Sequence, residues 1–287
     1  MYQIQTFEEQ SFTMYQLSNA DDSAWVTICP ERGGIITSFG VDGKEQLYIN
    51  KETLYDRSKN IRGGIPILFP IAGQLEEGKY EWDGETYNMP NHGLARIYPW
   101  EVVEKKQDET QASITVRFVS SISTKAVYPF DFDVLFTYTI RANELLIEQS
   151  FGNVSDQAMP MYVGLHPYFK ASQKNVVLKT DTTKLFDYSD ESVQDFQGSV
   201  DMENRKESVV LLDAKARKVS MELGTGQEVH METGAEYKYT VIWTEKGKEF
   251  ICVEPWMAMA GELNRKEELV MIEPKETLDT FVRFRVE

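Results

Sequence analysis

DVLFTYTIRANELLIEQSF, residues 133–151, alternates apolar and polar residues on both sides of a short polar break. Val134, Phe136, Tyr138 and Ile140 share one face of an extended chain, because successive side chains of a strand point to opposite sides. LLIEQSF (145–151) resumes after Arg-Ala-Asn-Glu, so the segment predicts a β-hairpin. The same period recurs along the chain. SITVRFV (113–119) puts Ile114, Val116 and Phe118 on one side, and KVSMEL (218–223) does so with Val219, Met221 and Leu223. YTVIWT and FICVEPW follow near 239–256.

Turn chemistry agrees. Asp42-Gly43 separates SFGV from KEQLYI, and Asp83-Gly84 separates KYEW from ETYNM. Asp-Gly supplies the positive φ of tight hairpins. Lys246-Gly247 sits between the strands expected near 240 and 250. Helical patterning is scarce, with ETLYDRS (52–58) the best candidate. No repeat, low-complexity tract or linker interrupts the pattern. The expectation is one all-β domain over residues 1–287, a large antiparallel β-sandwich with few short helices.

Composition narrows the function. The 287-residue chain is 41% hydrophobic and carries a net charge of −16. That charge disfavours nucleic acid, whose phosphates it repels at long range, but leaves a small anionic ligand open. No apolar run approaches membrane-span length. MYQIQTFEEQSF lacks the basic and apolar regions of a signal peptide, and Cys29 and Cys252 form no CxxC. A cytoplasmic protein without membrane partners is the expectation. GxSxG, GxxxxGK[ST] and HExxH are absent, and Gly224 and Gly226 of ELGTGQEV have no third glycine.

Four stretches stand apart: NIRGGIPILFP (60–70), NHGLARIYPW (91–100), GLHPYF (164–169) and FICVEPW (250–256). In GLHPYF, Pro167 biases His166 towards an extended backbone. As a strand, FICVEPW aligns Phe250, Cys252 and Glu254 on one face, so Glu254 is expected to be partly buried. A buried carboxylate is paired, here with an arginine as the structural alternative, or keeps its proton. The two glycines after Arg62 permit a sharp turn or close backbone approach. His92 sits before Gly93, with Asn91 and Arg96 nearby. His230 alternates with Val229 and Met231, points to solvent and takes no role.

Together and in this order, the four stretches resemble the aldose 1-epimerase (galactose mutarotase) family, in the bacterial branch close to hexose-6-phosphate mutarotases. The resemblance implies a galactose mutarotase-like supersandwich with a sugar cleft across one sheet. It implies that the family's catalytic histidine falls on His166 and its catalytic glutamate on Glu254. Substrate contacts then fall on Arg62, Asn91 and His92, with Arg96 matching an arginine used for phosphate. One departure matters: NRKESVVLLD (204–213) has no aspartate where the family holds sugar hydroxyls with one, and Asp213 falls too late.

The implied reaction interconverts the α and β anomers of a hexose by ring opening and reclosure. It needs one base and one acid, and no cofactor or metal. Glu254 suits the base. His166 suits the acid, with a pKa near ~6.5 that a neighbouring carboxylate would raise. His92 would steady charge on the sugar oxygens. The alternatives are a hexose-6-phosphate mutarotase, in which Arg96 clamps the phosphate, a non-catalytic carbohydrate-binding protein, and a metal site of His92, His166 and Glu254. The expected partner is a small sugar or sugar phosphate. Oligomeric state is not legible.

Overall fold

The 133–151 hairpin forms as its alternation dictates in the computed structural model, which describes residues 1–287. Strands Phe132–Arg141 and Glu144–Asn153 pair from Phe132 opposite Asn153 to Arg141 opposite Glu144. Ala142 enters the turn with φ 49. Val134, Phe136, Tyr138, Ile140, Leu145, Ile147 and Phe151 are all buried.

The hairpin lies within a nine-stranded antiparallel sheet. Its order is Ser199–Asp201, Asn175–Lys179, Lys218–Glu222, Glu228–Thr233, Thr277–Val286, Glu144–Asn153, Phe132–Arg141, Ala112–Val119 and Glu101–Gln107. A second, eight-stranded sheet runs Ser192–Asp195, Lys184–Asp187, Val209–Leu211, Tyr239–Trp243, Phe250–Trp256, Gly164–Leu165 and Ile67–Leu68, with Tyr168–Lys170 also paired to Phe250–Trp256. Five strands between Gln3 and Glu45 form a third sheet. One core cluster of 68 buried residues draws side chains from all three sheets. Strand makes up 50% of the chain and helix 7%, so the all-β expectation holds.

Both Asp-Gly hairpins are present. Val41 pairs with Lys44 across Asp42-Gly43, and Trp82 with Glu85 across Asp83-Gly84. The helix expected at 52–58 is a single turn, Lys51–Tyr55. Asn50 caps it by accepting from the Glu52 and Thr53 amides, and Asp56 turns extended and ends it. Two more one-turn helices are Ile122–Lys125 and Glu262–Arg265.

The hairpin also fixes the position of the unusual stretches. Phe69 packs edge-on to Phe132 at 5.1 Å and stacks on Phe151 at 5.8 Å between ring centres. Its carbonyl accepts from the Leu94 and Ala95 amides. RGGIPILFP thus bridges the core of the large sheet and the NHGLAR turn.

Candidate functional site

The cleft is built on strand Phe250–Trp256, buried at all seven positions. Gly164 pairs with Trp256 and Tyr168 with Cys252, which sets His166 beside Glu254. His166 Nδ1 lies 3.4 Å from Glu254 Oε1, and no hydrogen bond satisfies that nitrogen. The Trp256 indole N–H donates to the other oxygen, Oε2, at 3.0 Å. No arginine pairs with Glu254. The structure replaces that expected alternative with an indole and an imidazole.

His92 has φ 63, and Gly93 follows with φ 72. A side chain on Gly93 would meet the Phe69 carbonyl oxygen at 2.4 Å, so this tight approach requires glycine. The Gly73 amide donates to His92 Nδ1 at 2.9 Å. An accepting Nδ1 carries no proton, so the neutral ring holds it on Nε2. The His92 ring meets His166 edge-on at 5.5 Å and Trp256 at 6.0 Å.

These groups line a cavity of about 440 Å³. Arg62, Asn91, His92, His166 and Glu254 are all on its wall. Arg62 lies over the Trp243 ring at 5.4 Å, with its Nε 3.7 Å from Glu245. Gly63, next along, would strike the Ile49 Cα at 2.4 Å if it carried a side chain, so the paired glycines serve close backbone approach. Arg96 is not on the wall. Its Nη2 donates to the Asn91 carbonyl at 2.6 Å, within the turn that carries Asn91 and His92.

Charge in the cleft departs from the simple expectation. His166 is pushed down to about 3, rather than up, by burial first and then by the Arg96 and Arg62 guanidiniums. His92 is held well below its ordinary value by burial, with His166, Arg96 and Arg62 adding to it. Burial raises the Glu254 carboxyl well above the usual carboxylate range, and the Trp256 N–H opposes that only in part. Glu254 is 1% exposed, where partial burial was expected. Burial thus works against the charged form of both members of the pair.

The wall also includes Gln74, Tyr188, Glu207, Ser208 and Trp243, none of which stood out in the sequence. Glu207 and Ser208 come from the stretch that lacks the expected aspartate. Pairing of Asp187 with Val209 carries them in, and the Tyr188 amide donates to the Ser208 carbonyl at 3.1 Å. Asp213 accepts from the Thr183 and Lys184 amides at 2.8 and 3.1 Å and is not on the wall, so it does structural work. Trp243 had a signal: Tyr239, Val241 and Trp243 alternate onto one face, opposite Glu254 and Cys252 in register.

His230 is away from the cavity, as expected, but is not free in solvent. Its Nδ1 is 2.7 Å from Ser220 Oγ and its Nε2 is 3.3 Å from Glu287. The cluster of His, Cys and acidic side chains whose ligand atoms come within 4.8 Å of one another is His166, Cys252 and Glu254, and His92 is not part of it.

A family model described as aldose 1-epimerase matches residues 14–285. A protein of Escherichia coli K12 named "Putative glucose-6-phosphate 1-epimerase" is 24% identical over 170 residues, 59% of this chain and 52% of that one. The chain therefore spans about half the length of that relative. The solved structure of the Slr1438 protein of Synechocystis sp. PCC 6803 superimposes with a TM-score of 0.93 at 30% identity, covering 100% of this chain and 99% of the other. A galactose mutarotase-like protein of Clostridium acetobutylicum gives 0.82 at 20% identity over 100% and 98% of the two chains, and shows the shared fold. No helix is long and apolar enough to cross a membrane.

Proposed function

Because the chain belongs to the aldose 1-epimerase family, we propose that it interconverts the α and β anomers of a free hexose in the cleft around His166 and Glu254. The observation that carries this reading is the 3.4 Å approach of His166 to Glu254 on the wall of a cavity of about 440 Å³. Mutarotation consumes no net proton, so an overall neutral pair holding one movable proton is suited to it. Shifting that proton from Glu254 to His166 leaves a carboxylate and an imidazolium. The carboxylate takes the proton of the sugar's C1 hydroxyl and the imidazolium gives one to the ring oxygen. The C1–O5 bond opens, the C1–C2 bond rotates, and attack on the other aldehyde face reverses both transfers. Each positioned transfer contributes roughly 10²–10⁴-fold.

In this reading His92, with its proton on Nε2, donates to a sugar oxygen. Arg62 and Asn91, on the same wall, hold hydroxyls, and the Trp243 and Trp256 rings offer apolar faces for the C–H surfaces of a pyranose. No step calls on a metal or cofactor. The shared core cluster supports treating residues 1–287 as one domain.

A free hexose is favoured because Arg62 is the only lysine or arginine on the wall, with Glu207 also lining it. A carboxylate there works against a second anion. The 6-phosphate reading draws on the name of the Escherichia coli relative and on Arg62 itself. Exchange NMR between anomer signals tests both, run on glucose, galactose and their 6-phosphates. Acceleration on none of the four overturns the reading.

A further inference from the structure

We propose that His166, Cys252 and Glu254 form a binding site for a thiophilic divalent cation of the zinc class, and that filling it switches the acid–base pair off. Cys252 and Glu254 are two residues apart on one strand and so project to the same face. His166 reaches that face from the neighbouring segment, held between the pairings Gly164–Trp256 and Tyr168–Cys252. One ligand atom from each of the three lies within 4.8 Å of the others. All three are buried, with exposures of 7%, 0% and 1%.

A second observation points to a ligand at this position. His166 Nδ1 is buried and has no hydrogen-bond partner. Buried polar atoms are rarely left unpaired, and one facing a carboxylate and a thiol has a cation as a natural partner. The donor set selects the cation. Sulfur, imidazole nitrogen and one carboxylate oxygen suit zinc or cobalt, whereas magnesium and calcium call for oxygen alone.

The geometry is close to ready. Tetrahedral zinc bonds of about 2.0 Å to nitrogen and oxygen put those two atoms about 3.3 Å apart. His166 Nδ1 and Glu254 Oε1 already stand at 3.4 Å. The Cys252 sulfur is within 4.8 Å of both and would have to come to about 3.5 Å from each in a tetrahedral site. The surrounding shell is also present: Trp256 holds the second Glu254 oxygen, and Tyr168 stacks on the His166 ring at 4.6 Å. His166 and Glu254 reach the cavity, which provides an entry path and leaves the fourth position to water. Any proton displaced from a ligand goes to solvent, and nothing is oxidised or reduced. A nitrogen and an oxygen bound to the cation cannot move sugar protons. This last consequence rests on the mutarotase reading, while binding itself does not.

Cobalt chloride added to the metal-free full-length chain tests binding. The expected result is a thiolate-to-cobalt charge-transfer band in the near ultraviolet, saturating at one cobalt per chain. Cys252→Ser should abolish the band. Cys29→Ser should keep it, because Cys29 lies in a separate core cluster with Phe12, Met14 and Leu54. If Cys252→Ser does not fold, Cys252→Ala serves in its place. No band in the wild type, or an undiminished band in the Cys252 variant, overturns the site.

Zinc chloride should inhibit anomer exchange in the wild type, with half-inhibition in Cys252→Ser needing about tenfold more zinc or above. Equal inhibition of both overturns the switch. A cobalt band without mutarotase activity on any sugar leaves the site standing and removes the functional reading instead.

Discussion

The strands Phe132–Arg141 and Phe250–Trp256 have the same backbone and opposite logic. The first alternates along most of its length between buried and partly open positions, and closes on exposed Arg141. The second is buried at all seven positions, a glutamate included. In the hairpin one face packs and the other meets water, so charges such as Glu148 and Arg141 stay hydrated. In the cleft strand both faces are covered, and the carboxylate has lost its water without gaining a cation. A buried acid tends to keep its proton, since the charged form is the costlier one to desolvate. Stability is concentrated where the pattern is obeyed, and the candidate chemistry where it is broken.

That contrast can be broken by two crossed substitutions. Glu254→Gln keeps the shape and removes the movable proton. It is expected to lower kcat by about 10²–10⁴-fold while sugar still binds and the unfolding midpoint holds. Anomer-exchange NMR with a denaturant titration reads both. Near-normal exchange would remove Glu254 from the proposed mechanism. Phe136→Ala should do the reverse, costing about 3–5 kcal/mol of stability through a core cavity and leaving kcat of the folded fraction unchanged. A large fall in kcat with stability intact would mean that the two strands are coupled more tightly than their separate roles imply.

A third substitution sharpens the comparison inside the cleft strand. Trp256→Phe keeps an aromatic ring and deletes the N–H that reaches Glu254 Oε2. A donor to a carboxylate favours its ionised form, so removing it raises the Glu254 pKa further. The limb of the pH–kcat/KM profile at which the pair loses its one proton should therefore move to higher pH, and kcat/KM at pH 7 should fall about tenfold because passing the proton from Glu254 to His166 becomes costlier. A fall in activity with an unmoved limb would make Trp256 a packing residue only.

The fold was legible because hairpin signals are local. The 133–151 alternation, the Asp42-Gly43 turn and the Asp83-Gly84 turn each need only a few neighbouring residues. The order of nine strands was not legible, because it joins Glu144–Asn153 to Thr277–Val286, more than a hundred residues apart. The family resemblance picked out His166, Glu254, His92, Asn91 and Arg62, and all five reach one cavity. Glu207, Ser208 and Tyr188 were invisible. They flank short strands at Lys184–Asp187 and Val209–Leu211, and only the pairing of those strands turns them towards the cleft. The direction in which His166 shifts differs from the expectation for a related reason. Sequence suggested a carboxylate that would raise His166, whereas burial and the Arg96 and Arg62 guanidiniums act in the opposite direction.

The smallest expected effect belongs to Arg96. It matched a phosphate-binding arginine by sequence, yet its guanidinium donates to the Asn91 carbonyl at 2.6 Å and does not line the cavity. In that position it braces the turn bearing Asn91 and His92, and its charge reaches the histidines only through the field. Arg96→Ala should therefore lower kcat/KM less than about tenfold, the scale of one lost hydrogen bond, and equally on a hexose and its 6-phosphate. A 6-phosphate clamp predicts otherwise. Charge-assisted hydrogen bonds to phosphate are worth about 1.5–3 kcal/mol each, so their loss would cost the phosphate substrate about ten- to a hundred-fold and spare the free sugar. Parallel assays of the two substrates decide between brace and clamp, with Arg62→Ala as the internal comparison. Arg62 is on the wall beside Trp243 and has only Glu245, at 3.7 Å, as an ionic partner. If a phosphate is bound at all, Arg62 should show the larger selective loss. A larger selective loss at Arg96 would require the Asn91 turn to open and turn its bracing arginine inward when the substrate binds.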